Sequence, residues 1–157
     1  MEEYESIWGN YMKTDYNGKS LMYDGLELGH FESIDNKLEL KLNIGIQSTW
    51  LPFIFELAYN NGTDMNIAIN AWKKERVFPK NRIGKLKMLR QLGLWRYNID
   101  KICEVTRCSL MTDPYWITYN DKDTYSNNTI RGKLNSKRMF PYNSLGLTDE
   151  NNYIWRI

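Results

Sequence analysis

The hydrophobic residues of this chain change period once, and that change limits what it can fold into. Leu38, Leu40, Leu42 and Ile44 alternate with Glu39, Lys41 and Asn43, a period of two that puts four aliphatic side chains on one face of a strand and leaves the other wet. After Asn60-Asn61-Gly62 the spacing becomes helical: Met65, Ala68, Ile69 and Trp72 share one face, and Thr63 or Asp64 is placed to cap the first turn. A strand region followed by a helical region predicts an α+β fold, a small N-terminal antiparallel sheet packed with about three short helices and followed by an irregular C-terminal segment. With 157 residues, 42% hydrophobic and 14% aromatic, the chain has material for a buried core. A single domain over 1–157 is expected, mainly β over 1–58, helical over 59–108, and mixed and loop-rich over 109–157.

Turn chemistry refines this outline. Asn17-Gly18 lies between stretches containing Trp8, Tyr11, Met12 and Leu21, Met22, Tyr23; both turn residues tolerate positive φ, so a hairpin is expected there. Pro52 within Trp50-Leu51-Pro52-Phe53-Ile54-Phe55 cannot donate a ladder hydrogen bond, which predicts an edge strand or connecting loop whose large apolar neighbours plug the core. The first helix is expected to run to about Arg76, with Lys73 and Lys74 on its outer face. Pro79 suits the first turn of a second helix that turns Ile83, Leu86, Leu89 and Leu92 inward and ends at Gly93. Asn98 caps a third, burying Ile99, Ile102 and Cys103. Pro114 then bars a continuing helix, Asn120 to Asp123 and Ser126 to Asn128 form loops, and Phe140-Pro141-Tyr142 and Tyr153-Ile154-Trp155 anchor an irregular end.

Charge is segregated along the chain. Residues 1–72 sum to −7, residues 73–96 hold nine Lys or Arg against the single acid Glu75, and residues 97–157 sum to +1. A basic excess of this kind marks a nucleic-acid footprint, a docking face for an acidic partner, or the solvated side of packed helices. The acidic first part is placed to fold back and neutralise some of it. Trp95 and Tyr97 supply rings for base stacking, and Lys133, Lys137 and Arg138 a second basic cluster.

Catalytic and metal chemistry find little support. Cys103 and Cys108 have neither CxxC nor zinc spacing and are expected to be small core residues; the single His30 has no nucleophile motif beside it. Asp113, Asp121 and Asp123 lack the Gly and Glu of a calcium loop. No cofactor is expected. No apolar run approaches the roughly 20 residues that cross a bilayer, and the start MEEYESIW has no signal-peptide pattern. A reduced cytoplasmic setting without a membrane partner is therefore expected.

Two stretches together resemble a known pattern. Trp72-Lys73-Lys74-Glu75-Arg76-Val77-Phe78-Pro79-Lys80-Asn81-Arg82 resembles a W-x-x-x-R-x-x-P-x-x-R segment, and Ser109-Leu110-Met111-Thr112-Asp113-Pro114-Tyr115-Trp116-Ile117 resembles an SLsDsYWi segment, of proteins related to the HipA toxin kinases. Both segments lie in the non-kinase region that precedes the catalytic lobes there. The likeness spans about residues 45–120 and implies structural roles for Trp72, Arg76, Pro79, Arg82, Asp113, Tyr115 and Trp116. No GxGxxG or GxxxxGK stretch occurs, so no catalytic residue carries over. What the resemblance implies is an accessory module that restrains a kinase, or another host or defence protein, in a phage, mobile-element or toxin–antitoxin system. The expected contact residues, for protein or alternatively for nucleic acid, are Lys73, Lys74, Lys80, Lys85, Lys87, Arg90 and Arg96.

Overall fold

The structure, a computed structural model, describes residues 14–135. The first arm of the Asn17-Gly18 hairpin, Lys137, Arg138 and both C-terminal aromatic anchors lie outside the described residues. Three strands come first, β1 (Ser20–Tyr23), β2 (Leu26–Ile34) and β3 (Lys37–Leu42). A 3-10 turn at Ser48–Trp50 leads to α1 (Phe53–Asn61), α2 (Met65–Glu75), α3 (Lys85–Gln91) and α4 (Ile99–Thr106). Strand β4 (Tyr115–Ile117) follows, then two short helices, α5 (Tyr125–Asn128) and α6 (Ile130–Asn135). The α+β expectation holds, with six helices among the described residues where about three were expected.

The sheet has the order β3-β2-β1-β4, antiparallel throughout. Its hairpins turn at Asp24-Gly25 and Asp35-Asn36, and Asp35 and Asn36 hold φ of 51° and 63°. Two consecutive positive φ values are what a two-residue turn needs to match strand twist, and Asp and Asn tolerate them best after glycine. Asn17-Gly18 also turns, with Gly18 at φ 82°, and the Gly18 amide donates to the Phe31 carbonyl at 2.8 Å. In β2, a Cβ on Gly29 would come within 2.4 Å of the Lys41 carbonyl oxygen, so no larger residue fits against β3. The alternation along β3 buries Leu38 and Leu40 but stops at Leu42; Ile44 lies beyond the strand and is fully exposed.

Of the two expectations for residues 50–55 the connecting loop holds and the edge strand does not: Pro52 lies in the short connection before α1 and is its N-cap, its carbonyl accepting from Phe55 and Glu56, both at 2.9 Å. A cap position suits proline, because the amide it lacks would have had no intrahelical partner. The helix starts at Phe53, so residues 53–58 are helical, not β. Leu51 and Phe55 enter the core, while Trp50 and Phe53 stay at the surface.

Helix α2 starts as expected at Asp64, whose carboxylate accepts from Asn66 at 2.9 Å and from the Leu38 amide of β3 at 3.1 Å. One side chain thus caps a helix and ties it to the sheet. Met65, Ala68, Ile69 and Trp72 are all buried, and ring contacts run from the sheet into α2 through Tyr16–Phe31 (6.4 Å), Phe31–Phe55 (6.1 Å) and Phe55–Trp72 (5.1 Å). Asn98 caps α4 through the Lys101 amide at 3.0 Å, and Ile102, Cys103 and Cys108 are buried. Towards the C-terminus, Ser126 to Asn128 belong to a helix, not a loop: Thr124 caps α5 through the Asn127 amide at 3.2 Å. Ile130 is buried and its amide donates to the Ser109 hydroxyl at 3.0 Å.

Candidate functional site

The basic stretch 73–96 divides into a buried part and a surface part, and the division differs from the sequence expectation at one cation in particular. Lys73, expected on the outer face of α2, is 3% exposed, and its ammonium lies 2.5 Å from Asp100 of α4. It also sits 5.2 Å from the Tyr16 ring centroid. Burial opposes its charge, but the hydrogen bond to Asp100 and the contacts with Tyr16 outweigh that, so the lysine titrates above its ordinary value. Helical spacing did place position 73 beside the apolar face; only the arrival of α4 with a carboxylate turned that border position inward. Around this pair, burial pushes Tyr16 up to about 12 and raises Tyr119, whose hydroxyl is 2.8 Å from that of Tyr16.

Arg76, at the C-cap of α2, is also buried. Its Nε donates to the Cys108 carbonyl at 2.8 Å, Nη2 donates to Asp113 at 2.7 Å and to the Tyr115 carbonyl at 2.8 Å, and Nη1 pairs with the second Asp113 oxygen. The guanidinium stacks on Trp72 at 4.3 Å. Asp113 in turn accepts the Tyr115 amide at 3.0 Å, and Trp116, buried in β4, donates from its indole to the Asp24 carbonyl at 2.7 Å. Trp72, Arg76, Asp113 and Tyr115, drawn from two separate stretches, therefore form one joint that ties the start of β4 to the end of α2. A planar five-donor fork is the only side chain that reaches all these acceptors together.

Pro79 and Arg82 lie beyond the end of α2. Pro79 lies in a turn, its carbonyl accepting from the Arg82 amide at 3.1 Å, and α3 begins only after Gly84, whose φ of 83° interrupts the helix expected to start at Pro79. Arg82 is partly exposed. The shift changes which residues face inward: Met88, Leu89, Gln91 and Leu92 are buried, whereas Ile83 is 93% and Leu86 60% exposed. Gly93 does end the helix, at φ 78°. The Gln91 amide is buried, and neither its nitrogen nor its oxygen has a hydrogen-bond partner among the described residues.

Lys74, Lys80, Lys87 and Arg96 lie at the surface, with Lys85 and Arg90 partly exposed. Arg90 donates from Nη1 to the carbonyls of Leu94 (2.8 Å) and Trp95 (3.2 Å), and its guanidinium covers the Trp95 ring at 4.1 Å. That indole is 77% exposed. Tyr97, by contrast, packs edge-on to Phe78 and donates its hydroxyl to the Phe78 carbonyl at 2.7 Å, so it is held as a structural ring. Lys133 is partly buried, which lowers its pKa. Among the described residues, Asp100 and Asp113, both downstream of the basic stretch, pair with Lys73 and Arg76.

Two surface hollows were not legible in the sequence. One, of about 540 Å³, runs beside α1 between Phe53, Leu57 and Trp72 and ends at Arg76 and Asp113. The other, of about 300 Å³, is lined by Tyr23, Leu26, Trp50 and again Tyr115. Tyr115 separates them, fixed by its hydroxyl bond to the Trp50 carbonyl at 2.6 Å. Of the polar groups on this border, Arg76 is bonded to Asp113 and the Tyr115 hydroxyl to the Trp50 carbonyl, while Glu75 lies exposed.

Elsewhere, Asp123 pairs with Arg107 at 2.7 Å and accepts the amides of Tyr119 and Asn120, while Asp113 serves Arg76, so the two carboxylates belong to different clusters. His30 lies on β2, 3.8 Å from Glu32. Among the described residues no three His, Cys, Asp or Glu side chains gather as a metal site, and no helix is long and apolar enough to cross a membrane. Comparison with protein-family models, curated proteins and solved structures gives no match.

Proposed function

We propose that this protein is a non-catalytic module that acts by occupying a partner protein, in a regulatory or inhibitory role. The observation that carries the reading is its exposed apolar surface: Phe53 at 71%, Leu86 at 60%, Ile83 at 93% and Trp95 at 77% exposure. Large apolar side chains in contiguous groups mark interaction sites more often than isolated ones do. The buried charged groups are in keeping with it: among the described residues Lys73, Arg76 and Arg107 are each held by a carboxylate. The likeness of residues 72–82 and 109–117 to the accessory region of HipA-like proteins suggests a kinase, host or defence protein as the partner and a phage, mobile-element or toxin–antitoxin setting in the cytoplasm.

Co-purification of the tagged full chain from its native host tests the proposal. A stoichiometric protein partner is the expected result, and recovery of nucleic acid with no protein would overturn it. A nucleic-acid reading is favoured by one specific feature, the exposed Trp95 ring with the Arg90 guanidinium stacked on it. Affinity for a short oligonucleotide at two salt concentrations examines it directly, because a phosphate-tracking surface weakens steeply as salt rises.

A further inference from the structure

We infer that the outer face of α3 docks an acidic amphipathic helix of the partner, an inference that rests on the protein-binding reading above. On α3, Leu86 and Arg90 are four residues apart and share one helical arc, and Ile83 stands exposed just ahead of the Gly84 break that precedes the helix. The buried residues of the same segment, Met88, Leu89, Gln91 and Leu92, fall on the opposite arc. Leu86 therefore stands on the side of α3 that the core does not cover.

Trp95 is tied to the same arc. Arg90 holds it in place, stacked on the indole at 4.1 Å and bonded to the carbonyls on either side of the Leu94–Trp95 peptide. Tryptophan and arginine are the side chains most often found to dominate binding energy, and a ring already ordered loses little entropy on contact.

Charge selects the partner. Of the nine cations in 73–96, Lys73 and Arg76 are withdrawn into the core and paired. Lys85 and Lys87 flank Leu86 on α3, and the only acid of the stretch is Glu75. The complementary surface carries aliphatic anchors flanked by Asp or Glu. Phosphate would satisfy the lysines but leave Ile83 and Leu86 in water, whereas an amphipathic protein segment covers both. A helix fits better than a strand, because α3 presents side-chain ridges and no free sheet edge.

The probe is a synthetic peptide of about 18 residues, five turns long, with leucines at helical i, i+3, i+7 spacing and glutamates elsewhere. A scrambled peptide of identical composition and an oligonucleotide of equal charge serve as comparisons, all titrated against the full chain. Saturable binding of the patterned peptide is expected, at least about tenfold tighter than the scrambled one, about 1.4 kcal/mol. The Ile83→Ser/Leu86→Ser variant, which touches only exposed positions and is verified as folded by circular dichroism, should lose that advantage, while Phe53→Ser in the α1 hollow should keep it. Equal binding of the two peptides, patterned binding unchanged by the double substitution, or tighter oligonucleotide binding that survives it each overturns the inference. A natural partner protein that still binds the double variant defeats this placement and leaves the binding-module reading standing; nucleic acid alone, with no protein partner, defeats both.

Discussion

Replacing Asp113 with alanine removes one half of the joint that holds β4 against the rest of the domain, and its cost follows from the geometry. Arg76 has a side-chain exposure of 5% and Asp113 31%. The substitution leaves the guanidinium buried, still bonded to the Cys108 and Tyr115 carbonyls but without its counter-charge. Breaking a buried pair from one side costs about 3–5 kcal/mol, and water reaching the vacated carboxylate site places this case near the lower end, about 3 kcal/mol. For a domain of this size that corresponds to a fall in Tm of about 6–12 °C. Thermal and urea unfolding followed by circular dichroism read it out.

A double-mutant cycle with Arg76→Met isolates the pair. If Arg76 and Asp113 act as a unit, the double variant should be more stable than the sum of the single losses allows, by about 2 kcal/mol. Arg76→Lys should not rescue, since an ammonium cannot span two carbonyls and a carboxylate together. Additivity within about 0.5 kcal/mol would refute the assignment of these residues as a joint.

Three further outcomes are expected. Burial raises the pKa of Asp123, but Arg107 and the amides of Tyr119 and Asn120 outweigh it and hold the carboxyl below its ordinary value; its contribution is therefore complete above that ordinary value and lost as pH falls through the lowered one, and Asp123→Asn should flatten the acid limb of stability against pH, measured by urea unfolding. Gln91→Met should raise stability by about 1 kcal/mol in the same assay, because it removes a buried amide without hydrogen bonds while keeping its length. Gly29→Ala should destabilise the sheet by at least about 1 kcal/mol, through the collision of its Cβ with the Lys41 carbonyl, and a wild-type Tm would count against the close β2–β3 approach.

How much of this was legible beforehand depended on whether the governing interaction was local. The α2 stripe of Met65, Ala68, Ile69 and Trp72, the caps at Asp64 and Asn98, and the stop at Gly93 all follow from side chains within a few residues of one another. The Asp35-Asn36 turn is local in the same way. Pro52 was ambiguous because a missing amide is tolerated equally at an edge strand, in a loop and at a helix cap. Ile83 and Leu86 extend the spacing of Leu89 and Leu92 and so read as core in sequence, and a single glycine inside a helical pattern does not by itself fix the interruption found at Gly84. The surface group of Ile83, Leu86, Arg90 and Trp95 was hidden by the same assumption.

The sequence by itself determined the α+β class, the helical face that enters the core and the residues of the two motif-like stretches, since periodicity and capping are written in neighbouring residues. Only the tertiary structure decided which of the nine clustered cations meet solvent. Lys73 and Arg76 are charged in the sequence like the others, and become core residues because Asp100 and Asp113, 27 and 37 positions away, arrive beside them. Burying a cation is costly unless a carboxylate comes with it, and which carboxylate comes is set by how distant elements pack.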